Sequence, residues 1–135
     1  MEHQEKEKSI EKWQQQWDNT TKRLVTKEFF SNIKDRLKMK INLTPNFTAM
    51  VTAHGKTRSY LHRFKIIESP ECPCANGHQT VGHLLCDCSE LNNERGNLIA
   101  HISKEDNWPV KKNELLNKHL KQVIHFTNFI VYEKL

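Results

Sequence analysis

Four cysteines crowded into one short segment constrain this chain more than any other feature. Cys72, Cys74, Cys86 and Cys88 are the only cysteines among the 135 residues, and they span 17 consecutive positions. With His83 between them, they form a C-x-C-x8-H-x4-C arrangement, and clustered thiols with a histidine are typical of structural zinc. We therefore predict one zinc ion held by Cys72, Cys74, His83 and Cys88. Four protein ligands leave no position for water, so this zinc stabilises structure and activates no nucleophile.

Two other residues compete for this ligand set. His83 and Cys86 are three apart and share a helix face, whereas His83 and Cys88 are about one and a half turns apart. Cys88 can reach the ion only if the helix ends near Cys86. His78 lies in the adjacent loop and is an alternative to His83. A non-metal alternative is that the four thiols are simply buried, as free cysteines often are.

Apolar periodicity predicts helices along most of the chain, and strand patterns are nearly absent. The fold class is therefore all-α: a small helical domain with a zinc-stapled loop and a long C-terminal helix. Residues 1–20 are predicted to be a solvated N-terminal helix or linker. Residues 21–135 are predicted to be a single helical domain, with a zinc-knuckle-like segment at 70–90.

Local signals predict where individual helices begin and end. Thr26 is the expected cap of a helix over 26–39, and Thr44-Pro45 begins a second that stops near Gly55. A third helix, over 56–64, should direct Tyr60, Leu61 and Phe64 toward the core. Further helices are expected from Thr80 to the last cysteines, over 90–102 and from about 110. Near the N-terminus, one helix should carry an apolar stripe of Ile10, Trp13 and Trp17.

Positive charge is concentrated in the middle of the chain. The formal charge of the whole chain is +5, yet residues 22–65 hold 11 Lys or Arg against two acidic residues, which gives this block +9. Such a block suits a polyanion, because each neutralised phosphate releases counterions. A solvated lysine-rich surface is the alternative. The predicted nucleic-acid contacts flank or include an aromatic residue: Lys56, Arg58, Tyr60, His62, Arg63 and Lys65.

Membrane insertion and secretion are not expected. No apolar run approaches the ~20 residues that span a bilayer, and the highly charged N-terminal segment does not resemble a signal peptide. We expect an intracellular protein, in the cytoplasm, the nucleus or both, without a membrane partner.

Several short motifs together resemble one known family. Their order along the chain is similar to that of the C-terminal tail of arthropod non-LTR, jockey-like retrotransposon polyproteins. The matching residues are Trp13 and Trp17, Thr52-Ala53-His54-Gly55, Ser59-Tyr60-Leu61-His62-Arg63-Phe64, Cys72-Pro73-Cys74, Thr80, His83-Leu84-Leu85, Cys88 and the leucine-rich stretch Leu115 to Ile130.

The resemblance implies a region that follows the reverse transcriptase and RNase H domains. The family's metal-ligand positions fall on Cys72, Cys74, His83 and Cys88, in agreement with the spacing. Ala53 and Ala75 depart from the pattern, since glycine is usual at both positions.

Catalysis by this chain alone is not expected. The four aspartates, Asp18, Asp35, Asp87 and Asp106, are far apart in sequence and form no two-metal carboxylate motif. We predict a non-catalytic, zinc-binding, nucleic-acid-binding module of a retrotransposon polyprotein, with RNA or target DNA as its partner. The alternative is a scaffold module whose Trp13/Trp17 helix docks onto the polymerase or RNase H domains.

Overall fold

Helices make up nearly all the regular structure in the computed structural model, which describes residues 2–41 and 44–130. Within these ranges the only strand-like feature is an isolated bridge between Glu71 and His78, which confirms the all-α class. The helices are α1 (Glu2–Asp18), α2 (Leu24–Phe29), α3 (Ile33–Lys38), α4 (Pro45–Thr52), α5 (Arg58–Arg63), α6 (Val81–Cys86), α7 (Asn92–Ile102) and α8 (Lys112–Asn128), with a 3-10 turn at Ser89–Leu91. The division into residues 1–20 and 21–135 stays a prediction, and residues 131–135 lie outside the described ranges.

The C-terminal helix α8 forms the centre of the core. It packs against α2, α4 and α7. Each large apolar side chain that is fully buried contributes about 1.5–3 kcal/mol, so these contacts hold the helices together. The buried residues at these contacts are Phe29, Phe47, Met50, Leu98, Ile102, Leu115, Leu116, Val123 and Phe126.

The predicted long C-terminal helix contains one irregular turn, at His119. This residue has φ −130° and ψ 31°, and its buried Nε2 lies 2.8 Å from Asp106 Oδ2. The hydrogen bond with His119 lowers the pKa of Asp106, and the nearby Lys118 adds to the effect. Glu105, Asp106 and His119 are close enough to hold a metal. However, Lys118 Nζ lies 3.5 Å from Asp106 Oδ1, so this carboxylate already forms an ion pair within the chain.

The prediction of a single helix over 26–39 is wrong, because the helix is interrupted between Phe29 and Ile33. Thr26 lies inside α2, so its predicted capping role is also wrong. Asn32 instead caps α3 by accepting a hydrogen bond from Asp35 N at 2.9 Å. A capping side chain satisfies backbone N–H groups that have no partner in the helix, which stabilises the break.

Side chains of α1 meet the backbone groups that this break exposes. Gln14 Oε1 accepts from Ile33 N at 2.8 Å, and Trp17 Nε1 donates to Phe30 O at 2.6 Å. Trp13, by contrast, is 51% exposed. The predicted apolar stripe is therefore buried only in part. Trp17 docks α1 onto this segment, whereas Trp13 faces solvent.

Other local predictions are confirmed. Thr44 caps α4 and Pro45 is its first residue, although the left-handed Ala53 ends the helix two residues before Gly55. Thr80 caps α6. None of the helices in the described ranges combines the length and the hydropathy required to cross a lipid bilayer.

Candidate metal centre and adjoining basic surface

Residues 70–79 form a short loop, the metal loop, that presents two of the cysteines. Cys72 N donates to Gly77 O, and Ala75 N donates to Cys72 O, each at 2.9 Å. Ala75 and Gly77 have φ of 66° and 116°, and the second of these angles is one that glycine adopts readily. The reversal brings the Sγ atoms of Cys72 and Cys74 within 4.8 Å of each other.

Helix α6 and the residues just after it supply the other two candidate ligands, His83 and Cys88. Thr80 Oγ1 accepts from His83 N at 3.1 Å, which places the histidine in the first turn. The helix ends at Cys86, as the predicted geometry requires. Asp87 N and Cys88 N then both donate to His83 O at 2.8 Å. This tight C-terminus directs the Cys88 side chain inward, toward the loop.

The four candidate ligand atoms lie close together. Cys72 Sγ is 3.6 Å from Cys88 Sγ, Cys74 Sγ is 3.2 Å from His83 Nε2, and all four atoms lie within 4.8 Å of one another. A tetrahedral zinc site with Zn–S of about 2.3 Å and Zn–N of about 2.0 Å requires roughly 3.8 Å between sulfurs and roughly 3.5 Å between sulfur and nitrogen. The donor set and its spacing fit a tetrahedral metal ion such as zinc.

The thiols of this cluster differ in acidity. Burial raises the pKa of the Cys88 thiol to about 12, and the neighbouring Cys72 adds to the rise. Burial also opposes ionisation of Cys74, but hydrogen bonds from Asn76 N and from Cys72 outweigh it and lower the pKa of Cys74 to about 7. A divalent cation among these sulfurs favours the thiolate forms, so metal binding at this cluster would release protons.

The two competing ligands lie outside the cluster. Cys86 is exposed on the surface of α6. His78 is also exposed, and its Nε2 lies 3.1 Å from Glu71 Oε1. The structure therefore assembles the four residues that spacing favoured and leaves the alternatives at the surface.

Arg95 supports the cluster from α7, although it is not among the sequence-predicted site residues. Arg95 is 4% exposed, and its guanidinium donates to the carbonyls of Leu84, Leu85 and Cys88 at 2.8–2.9 Å. It also donates to Asn92 Oδ1 at 3.1 Å. The sequence carried a signal for this role, because Arg95 stands in the apolar stripe of α7.

The predicted nucleic-acid contacts surround α5, which is shorter than expected. Arg58 and Arg63 are the first and last residues of this helix, so Lys56 and Lys65 lie outside it. Lys65 has a left-handed φ of 59°. The four basic residues therefore do not lie on one helix. Arg58 and Tyr60 are half-buried, and these four side chains are exposed: Lys56, His62, Arg63 and Lys65.

Aromatic rings lie among these cations. Tyr60 packs between His54, at 5.6 Å between ring centroids, and Phe64, at 4.8 Å. Arg63 lies over the Phe64 ring at 5.8 Å. The expectation that Phe64 points into the core is wrong, because 56% of this residue is exposed. The helix ends at Arg63, so Phe64 leaves the apolar face that a longer helix would have continued.

Two other basic residues of the +9 block, Lys27 and Arg36, make contacts inside the fold. Lys27 Nζ donates to the carbonyls of Asp18 and Thr20. Arg36 lies over the Phe30 ring at 5.4 Å. These two cations hold neighbouring segments together. Around α5, exposed cations lie among aromatic rings, and this makes the region the better candidate for contacts with a ligand.

Comparison with known proteins shows that the chain is similar to proteins of mobile elements. The retrovirus-related Pol polyprotein from type-1 retrotransposable element R1 of Popillia japonica is 31% identical over 93 residues. The corresponding R1 polyprotein of Bradysia coprophila is 28% identical over 85 residues, and the R1 3 polyprotein of Nasonia vitripennis is 26% identical over 84 residues. The chain is similar to Pol polyproteins of insect R1 retrotransposons.

The similarity involves a limited part of each relative. The matches cover 67%, 61% and 61% of this chain, but 36%, 8% and 22% of the Popillia, Bradysia and Nasonia polyproteins. No family model matches the chain, and none of the solved structures gives a significant match. The comparisons thus support an origin in a non-LTR retrotransposon polyprotein.

Proposed function

We propose that this chain is a non-catalytic, nucleic-acid-binding module from the C-terminal region of a non-LTR, jockey-like retrotransposon polyprotein. One structural zinc ion, held by Cys72, Cys74, His83 and Cys88, stabilises the module. The observation that carries the proposal is the junction of the Cys3His cluster with a cationic, aromatic surface. Ser59 N, in the first turn of α5, donates to Gln79 O at the end of the metal loop, at 3.2 Å.

The exposed charge on this surface suits a phosphate backbone. Lys56, His62, Arg63 and Lys65 all reach solvent around α5. Cations that neutralise phosphates release condensed counterions, so affinity depends steeply on salt. Electrostatic contacts of this kind supply affinity without sequence preference.

The aromatic rings favour unpaired nucleotides as the ligand. A cleft of about 390 Å³ is lined by Tyr60, Arg63, Thr80 and Gly82, among other residues. Phe64 adds an exposed ring next to it. Unpaired bases stack on such rings, whereas the bases of a duplex are already stacked. We therefore assign single-stranded RNA or DNA as the preferred partner.

The first prediction concerns charge. Reversing the exposed pair, with Arg63→Glu and Lys65→Glu, should weaken binding to single-stranded oligonucleotides and reduce the slope of log K against log salt by about 0.7 per lost contact. Fluorescence anisotropy over a salt series measures both quantities. The matched control is Lys6→Glu with Lys8→Glu in α1, where both lysines are exposed. Equal losses from the two pairs would contradict the assignment to α5.

The second prediction concerns stacking. Phe64→Ala should lower affinity for a single strand by about 5- to 150-fold, because stacking on one ring contributes about 1–3 kcal/mol per base. The salt slope should not change, since no cation is removed. Phe129→Ala is the control: Phe129 is 53% exposed and, like Phe64, packs on one other ring, that of His125, at 4.7 Å. If both alanine variants bind like the parent, Phe64 makes no stacking contact.

A scaffold role is the second candidate function, and one surface favours it. An apolar groove of about 350 Å³ is lined by Trp17, Phe30 and Leu37, among other residues, and Leu37 is 57% exposed. In this case the chain would bind polymerase or RNase H domains with little dependence on salt. Such binding, in the absence of affinity for oligonucleotides, would replace the nucleic-acid proposal.

A further inference from the structure

Gln79 is a fully buried polar residue between the metal loop and α6. It is 1% exposed. Its backbone N donates to Pro70 O at 2.8 Å, and its carbonyl accepts from Ser59 N. Burying an amide costs free energy unless its polar atoms find partners. The hydrogen-bond partners of the Gln79 amide lie on two different parts of the site.

The side chain of Gln79 has two functional ends. Its Oε1 accepts from Arg58 N at 2.9 Å, and its Nε2 donates to Cys72 Sγ at 3.6 Å. One end therefore contacts a candidate metal ligand, and the other contacts the first residue of the basic helix. A single amide cannot rotate to serve one partner without losing the other.

Helix α5 depends on such external contacts. It has only six residues, and helices this short are not stable alone in water. Its first N–H groups lack partners within the helix. Thr57 Oγ1 accepts from Tyr60 N, while Gln79 accepts from both Arg58 N and Ser59 N. Gln79 thus fastens the start of α5 to the metal loop.

We propose that Gln79 is a positioning residue that couples metal occupancy to nucleic-acid binding. This inference rests on the proposed function. A coordinated thiolate is a stronger acceptor than a thiol, and partners of ligand atoms both orient the ligands and support metal affinity. With metal bound, the contact with Cys72 Sγ holds the amide in the orientation that receives Arg58 N. The helix that presents Arg63 and Tyr60 is then ordered before the nucleic acid arrives.

Coupling between two ligands is reciprocal and can be measured directly. Zinc should tighten binding of a single-stranded oligonucleotide by about 5- to 150-fold, and the oligonucleotide should tighten zinc binding by the same factor. In the Gln79→Met variant, zinc and the oligonucleotide should each still bind, but the factor by which one tightens binding of the other should fall toward one. Gln14→Met is the matched control, because Gln14 likewise accepts from the first residue of a helix, Ile33 N in α3. It should leave the coupling factor unchanged.

A second measurement needs no variant and no nucleic acid. Amide hydrogen exchange at Arg58 and Ser59 should slow when zinc is added to the metal-free chain, whereas Ile33 should not respond. Zinc-independent exchange at Arg58 and Ser59 overturns the coupling even if the chain binds oligonucleotides. If exchange slows but no oligonucleotide binds, the proposed function fails and the link between metal and helix stands. If Gln79→Met retains the full coupling factor, Gln79 is not the coupling residue.

Discussion

Cys88→Ser should abolish stable zinc binding, whereas Cys86→Ser should leave one zinc per chain. Cys88 is buried with its Sγ 3.6 Å from Cys72 Sγ, and Cys86 is exposed two residues earlier. The loss at Cys88 should exceed the roughly 10- to 100-fold that removal of a partner of a ligand costs. Elemental analysis of purified protein measures the stoichiometry, and competition with a chelator measures the affinity. The reverse result would assign Cys86 as the ligand.

Zinc removal should unfold the middle of the chain and leave the α8 core. The cluster joins residues 70–79 to α6, and binding free energy at such a site is folding free energy. Helix α8 packs on α2, α4 and α7, and none of these helices carries a candidate ligand of the cluster. Chelation should therefore reduce helical circular dichroism in part. Complete unfolding would mean that the core depends on the metal, and an unchanged spectrum would mean that the cluster holds none.

Arg95→Ala should destabilise the fold by about 3–5 kcal/mol, because it removes hydrogen bonds from three buried carbonyl groups. The carbonyls belong to Leu84, Leu85 and Cys88. Arg95→Lys should recover only part of the loss, since an ammonium cannot reproduce the planar fork of the guanidinium. Urea unfolding at saturating zinc measures these free energies of unfolding.

The matched control for Arg95 is Arg63→Ala. Arg63 is exposed on α5, so its replacement should change the free energy of unfolding by less than about 0.5 kcal/mol. Arg95→Ala should also lower zinc affinity, because the carbonyl of Cys88 loses its donor. Equal stability of the two alanine variants would show that the Arg95 contacts contribute nothing net.

Short-range signals explain why much of the fold was predictable. Threonine side chains cap α4 and α6, and their capping depends on residues within one turn. The end of α6 at Cys86 was a condition for reaching one ion from both His83 and Cys88, and the structure meets it. The cysteine spacing thus identified the cluster before any contact was known.

The prediction of one helix over 26–39 failed because a distant segment supplied the deciding contact, whereas the prediction for Phe64 failed because the helix ends at a local turn with a left-handed Lys65. The apolar period of a helix continues through Phe30, but the helix is interrupted there. Trp17 and Gln14 of α1 form hydrogen bonds with the backbone groups that this interruption exposes. Phe64 fits the apolar period of α5, yet the helix ends before it and the ring stays exposed. Periodicity describes a single helix and carries no information on where tertiary contacts end it.

The sequence alone therefore determined the all-α class, the start of α4 at Thr44-Pro45 and the short segment that holds the candidate metal ligands. These features depend on residue type and on spacings of a few residues. Only the tertiary structure decided that Arg95 lies under the carbonyls of α6 and that Gln79 joins Cys72 to Arg58. Both residues have ordinary polar side chains, and their roles arise because folding buries them and leaves one geometry in which their hydrogen bonds are satisfied.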